Sequence, residues 1–152
     1  MKGKRLLILF WVSLLIFCPL VEGNEPPISV LVNGKAVESD VAPQLVQGRT
    51  MLPFRAILTA LGVSEEEIKW WENSRSVEVR THTVFLFLTI GSYQSVKNTQ
   101  IVLLEAPPYL FQGRTMVPVR FISESLGASV NWQEEERIVT IEKKSSIKKT
   151  AI

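Results

Sequence analysis

Arg49 and Arg55 stand six positions apart, and Arg114 and Arg120 repeat that spacing sixty-five positions later. Each pair belongs to one decapeptide, VQGRTMLPFR at Val46–Arg55 and FQGRTMVPVR at Phe111–Arg120. Four converging guanidiniums would make an anion site, because their planar forks bind carboxylate or phosphate bidentately. Held apart, the same residues would be two copies of one strand-to-helix joint, each arginine tied inside its own copy to a carboxylate or to backbone. The rest of the motif favours the joint. Gly48 and Gly113 suit a turn that needs positive φ, and Thr50 and Thr115 can bond local backbone ahead of a helix. Pro53 and Pro118 fit a first helical residue, where the missing donor costs nothing. Met51 and Met116 read as core plugs, and Gly62 and Gly127 stop the two helices. Arg55 and Arg120 then fall in a first helical turn, where the dipole disfavours positive charge, so carboxylates or carbonyls must compensate. Repetition points the same way, since a catalytic centre tends to lose one copy whereas a joint is needed in both.

Other chemistry is thin. His82 is the one histidine and Asp40 the one aspartate, so three ordinary ligands for copper or zinc cannot be assembled from histidine and cysteine. No Gly-x-Ser-x-Gly elbow exposes a nucleophile, and no glycine loop cradles a phosphate. Glu65-Glu66-Glu67 and Glu134-Glu135-Glu136 fall at polar turns and read as solvated clusters. The reading is therefore of a chain without catalytic residues, metal site or cofactor.

The N-terminus carries Lys2, Lys4 and Arg5, an apolar run Leu6–Leu20, and the small-residue pattern Val21-Glu22-Gly23. Those are the three parts of a secretory signal peptide, with residues 1–23 removed and 24–27 a short linker. The run is shorter than the ~20 residues of a spanning helix, and an uncleaved segment would be the only route to a membrane. Cys18 lies within it, preceded by bulky Ile16 and Phe17, which do not fit a lipoprotein cleavage site. Cleavage leaves 129 residues without cysteine, 14 basic and 14 acidic. Such a chain must hold itself together by its core. Lys143, Lys144, Lys148 and Lys149 crowd the last ten residues, which leaves the body slightly acidic and argues against a nucleic-acid partner.

Pro43–Gly62 and Pro108–Gly127 share twelve identities in twenty positions without a gap. Ile68-Lys69-Trp70 then matches Val130-Asn131-Trp132 across a three-residue insertion, Glu65–Glu67. Ile28–Val32 parallels the apolar run Val84–Ile90. The fold class is α+β, a tandem duplication of a small antiparallel unit with one short helix per copy. Repeat 1 spans about 28–80 and repeat 2 about 84–142, fused into one domain at 28–142, with 143–152 a basic disordered tail. In each copy an apolar helix face, Phe54, Ile57, Leu58 and Leu61 or Val119, Ile122 and Leu126, follows the proline. Val84–Ile90, apolar at six of seven positions, reads as a strand covered on both faces.

With these residues in view, the chain resembles the copper amine oxidase N-terminal-like, or stalk, domain. The resemblance is carried by NGK at Asn33–Lys35, GRTMLPFRAILTALG at Gly48–Gly62, GRTMVPVRFISESLGASVNW at Gly113–Trp132 and RIVTI at Arg137–Ile141. It implies a secreted or cell-wall-associated, non-catalytic module of Gram-positive bacteria, of the kind that accompanies surface hydrolases. Amine oxidase chemistry would need three histidines and a tyrosine after an asparagine; neither Tyr93 nor Tyr109 follows one. The copies differ at aromatic positions: Trp71 stands where the second copy has Gln133, and Tyr109 and Phe111 replace Gln44 and Val46. Exposed, these three are candidate contacts for a glycan or peptide; packed, they cover a sheet face. The function expected is a structural or binding module whose partner is cell-wall polymer or another surface protein, with an accessory subunit or inhibitor of a surface hydrolase as the alternative. Mass spectrometry of protein recovered outside the cytoplasm should find residues 1–23 absent; an intact N-terminus there would replace secretion with anchoring.

Overall fold

The computed structural model describes residues 25–144. In chain order its first elements are β1 (Ser29–Val32), β2 (Lys35–Ala36), β3 (Gln44–Val46), β4 (Arg49–Pro53) and α1 (Phe54–Ala60). A 3-10 turn at Glu65–Glu67 precedes β5 (Ile68–Trp71), β6 (Ser76–Arg80) and β7 (Phe85–Thr89). Then follow β8 (Gln94–Lys97), β9 (Gln100–Leu103), β10 (Tyr109–Phe111), β11 (Arg114–Pro118), α2 (Val119–Ser125), β12 (Ala128–Gln133) and β13 (Ile138–Lys143). The α+β class holds, with strands predominating.

The two decapeptides build the centre. Gln47-Gly48 turns β3 into β4 with φ of 52° and 72°, and Gln112-Gly113 turns β10 into β11 with 47° and 73°. Positive φ at both turn residues is what a two-residue hairpin matched to strand twist requires, and glycine supplies the second at no steric cost. The hairpins join into one four-stranded sheet, β10-β11-β4-β3. Its middle pairing sets Met51 opposite Pro118, Leu52 opposite Val117 and Pro53 opposite Met116. The motif thus pairs antiparallel with its own second occurrence, and an approximate two-fold axis passes through Leu52 and Val117. This is the arrangement of an isologous interface, here within one chain.

Two outer sheets are shared between the halves. One has the order β12-β13-β1-β2, with β1 parallel to β13. The other is β5-β6-β7-β8-β9, antiparallel throughout. Because β7 lies between β6 and β8 and runs against both, β6 is parallel to β8, as β13 is to β1. The main core fills the space among the inner faces of all three sheets and the helices. Leu52, Ile57, Leu58, Val79, Leu86 and Val117 are fully buried there. A second cluster on the opposite face of the central sheet gathers Met51, Met116, Val41 and Ala106.

Several sequence expectations change. The counterpart of β1, by its place before an asparagine turn and its direction parallel to the closing strand of the other half, is β8 and not Val84–Ile90; β7 is an extra strand inserted between β6 and β8. The units are not self-contained sheets, because each closing hairpin pairs with strands from the other half. Arg49–Pro53 and Arg114–Pro118 are strands. Pro53 and Pro118 are their last residues and the N-caps of α1 and α2, outside the helical turns. Thr50 and Thr115 sit opposite Leu45 and Leu110 within the hairpins and cap neither helix. β7 is covered on one face: Leu86 and Leu88 are buried, while Phe85 and Phe87 are half-buried. Lys143 ends a strand, and its Nζ donates to the Leu61 carbonyl at 2.8 Å. Residues 1–24 and 145–152, which include the expected signal peptide and most of the expected tail, lie outside the described residues.

Leu52→Ala should cost about 2–5 kcal/mol in urea unfolding. The double change with Val117→Ala should depart from additivity by about 0.5 kcal/mol or more, since the two residues face each other. Strict additivity would contradict the self-pairing.

Candidate functional site

The four arginines do not converge. Arg49 donates through Nε and Nη2 to both oxygens of Glu105, the second at 2.8 Å. Arg114 donates to Asp40 Oδ2 from Nε at 2.9 Å and from Nη2. Glu105 and Asp40 are also sixty-five positions apart, so each arginine crosses to the opposite half and the two clamps are reciprocal. The expectation that every fork closes inside its own unit fails for this pair. Each carboxylate lies on the segment that leads into β10 or β3, and the hairpin pairing carries its arginine beneath that segment. Val41 and Ala106, on the same segments, are thereby held over Met51 and Met116.

Arg55 and Arg120 do stay within their halves. Arg55 pairs with Glu65 of the inserted 3-10 turn. Arg120 Nη1 contacts Glu124 Oε1 at 3.5 Å and the Val130 carbonyl at 3.4 Å. Both arginine side chains are about half exposed, and pairs so exposed contribute under about 1 kcal/mol each. Trp70 and Trp132 face the core, and each donates its indole N–H to the glutamate two residues on, Glu72 or Glu134.

The three candidate aromatics are not brought together. Tyr109 and Phe111 pack with Val46 against the Met51–Met116 cluster, and burial raises the Tyr109 phenol above its usual range. Trp71 lies on the outer face of the five-stranded sheet, 40 % exposed, with Lys69 Nζ 3.7 Å from its ring centroid and its indole N–H donated to Glu78 at 2.9 Å. His82 is on an exposed bend, and no three metal-ligating side chains cluster among the described residues.

That outer face holds what the sequence reading missed. Register aligns Lys69, Glu78, Phe87, Val96 and Ile101 in a row across the five strands. Strand alternation adds Trp71, Phe85 and Leu103 to the same side. Arg80 lies over the Phe85 ring at 4.6 Å. Ile101 is 71 % and Leu103 72 % exposed, on a free edge strand. The matching row of the other outer sheet is Asn131, Thr140, Leu31 and Ala36. Gln133, Ser129 and Glu142 extend that second face, which is mostly polar. The signal in the sequence was the doubly apolar β7 and the change from Lys35–Glu38 to Gln100–Leu103.

A small α+β module with a self-paired hairpin motif, reciprocal arginine clamps and one apolar outer face is the class that the geometry defines. The chain belongs to the copper amine oxidase N-terminal domain family, which matches residues 31–141. It is also similar to a protein of Brevibacillus choshinensis described as a protease inhibitor, 28% identical over 120 residues. That stretch is 79% of this chain and 36% of the other, so the chain spans about a third of that protein's length.

Asp40 and Glu105 are each held below their ordinary values of 3.8 and 4.5, first by the hydrogen bonds from Arg114 and Arg49 respectively. The folded carboxyls are depressed, so their contribution to stability is present above those ordinary values and is lost as pH falls through the lower folded ones. Carboxyl-carbon NMR titration should show Arg114→Gln raising Asp40 alone and Arg49→Gln raising Glu105 alone. The opposite assignment would undo the crossed clamps.

Proposed function

We propose that the chain is an exported, non-catalytic module that docks a partner protein at the bacterial cell surface. On this reading the two halves arose by duplication, the frame is maintained in both, and contact is made where they differ. The observation that carries it is the contrast between the outer sheet faces. The same strand arrangement is closed with Asn131, Thr140 and Gln133 on one side and presents Trp71, Phe87, Val96 and Ile101 on the other. Folding does not demand an apolar outer face, and contiguous apolar surface marks an interaction site. The free edge of β9 offers unpaired backbone donors and acceptors of the kind that take up an added strand. Its counterpart β2 is two residues long, with Lys35 in it and Glu38 just beyond, and so resists such pairing. The partner best suited is thus a protein that presents an extended apolar segment.

An extracellular endoprotease is the specific partner we favour. Proteases engage extended backbone by strand pairing, and the Brevibacillus choshinensis relative is described as an inhibitor of proteases. Export, for which the N-terminal residues are the support, would put the chain where such enzymes act. Cell-wall polymer is the second partner class, with Trp71 as its contact.

Titration of secreted serine and metallo-endoproteases with the purified chain, read as residual activity and as co-elution, should reveal a stoichiometric complex. Ile101→Lys and Trp71→Ala should each weaken it by about tenfold or more, the usual effect of removing an interface anchor. Unchanged complex formation by both variants, or no complex with either protease class, would overturn the proposal.

A further inference from the structure

A cavity of about 550 Å³ opens beside α2 and meets the edge of the apolar face at Leu103; it is lined among others by Arg49, Glu105, Arg120, Phe121, Glu124 and Trp132. That volume is within the roughly 300–1,000 Å³ common for small-ligand sites. Its chemistry is mixed. Phe121 and Trp132 supply aromatic surface, and the indole of Trp132 is fixed by its hydrogen bond to Glu134. Arg120 is poorly used by the protein itself: its two contacts are 3.4 and 3.5 Å long, both from Nη1. Among the described residues, no hydrogen bond engages its Nε or Nη2.

The opposite half differs around the equivalent arginine. There the corresponding Arg55 is taken up by Glu65, from the three-residue insertion that α2's half lacks. Ala56 stands where the cavity has Phe121, and Thr59 where it has Glu124. The equivalent place in the other half thus does without the phenyl ring, and its arginine is paired where Arg120 keeps only long contacts. Electrostatics narrows the ligand. Arg49 and Arg120 are met by Glu105, Glu124 and Glu134, so the lining has no surplus positive charge for an anion. It does offer planar donors and carboxylate acceptors around an aromatic wall. A ring with an apolar C–H face and adjacent hydroxyls would use all three, stacking on the aromatics while hydroxyls accept from arginine and donate to glutamate.

We propose that this cavity is a binding subsite for a neutral pyranose ring, a hexose or N-acetylhexosamine unit of a glycan. The aromatic wall is Trp132 and Phe121, and Arg120 is the residue that reads the hydroxyls. The cavity meets the strand-docking face at Leu103, but Phe121 and Arg120 lie outside that face, so their variants test the subsite separately from Ile101 and Trp71.

The test is titration of the purified, isotope-labelled chain with chitotriose, cellotriose and tri-galacturonate, following the Trp132 indole N–H resonance. Saturable shifts are expected with at least one neutral trimer, and binding of the anionic one should be weaker. Phe121→Ala, which installs the residue of the other half, and Arg120→Gln should each weaken binding by about tenfold or more. A cooperative melt is the control for each variant, because Phe121 also packs against the main core and only a folded variant reads the subsite. No saturable shift with either neutral trimer would overturn the proposal. So would equal binding by both folded variants, or tighter binding of tri-galacturonate, which would make the cavity an anion site.

Discussion

The pairing of β4 with β11 is the constraint on which the rest depends. Leu52 and Val117 are wholly buried and directly opposed, and Met51 and Met116 lie wholly buried on the other face of the same two strands. Burial of side chains of this size is worth about 1.5–3 kcal/mol each, so this short ladder anchors both apolar clusters at once. Fixing it places everything attached to it. The helices leave from its ends at Pro53 and Pro118, and the outer hairpins follow the helices. The segments carrying Asp40 and Glu105 must then cross over the opposite arginines. The crossed clamps are accordingly a consequence of the pairing more than its cause, since exposed ion pairs are too weak to impose a topology.

A two-fold frame of this kind would by itself yield two equal surfaces. Two local departures break the equality. β7 widens one outer sheet from four strands to five and brings Phe85 and Phe87 onto its outer side. The Glu65–Glu67 turn gives Arg55 a carboxylate partner, while the other half leaves Arg120 with long contacts. Both departures act on the periphery, where they cost the shared centre nothing. This is the physical basis for placing binding in the asymmetric positions and stability in the repeated ones.

Much of the frame was legible in the sequence because it rests on local chemistry. The Gly48 and Gly113 turns, the helices after Pro53 and Pro118, and their ends at Gly62 and Gly127 follow from residues with few conformational options. The opposed faces of Trp70 and Trp71 follow from strand alternation. What was not legible is pairing at long range. A decapeptide contains no statement of its partner, so its five-residue strand read as a connector, and the arginine clamps were assigned to the wrong half. The same limit applies to β8: its Ser95 and Lys97 break the apolar pattern of Val30 and Val32, so the more apolar β7 took its place in the alignment.

The candidate site failed to show itself in the sequence for a related reason. Tyr109 and Phe111 differ from Gln44 and Val46 and so looked available. Yet the hairpin pairing turns both toward Met51 and Met116, where bulk fills a core and raises the phenol's proton affinity. Ile101 and Leu103 drew no notice, because an apolar residue in a short strand ordinarily points inward. On β9 the alternation points both outward, and the inward position goes to Val102. Phe121 escaped because it lies beside the helix face of Val119, Ile122 and Leu126 and not within it. Its half-buried ring packs against the main core and also lines the cavity, next to an arginine whose counterpart is paired with Glu65. In each case residue type was informative only after the sheet had fixed direction. Sequence difference between the halves therefore marks a site only when it coincides with an outward face.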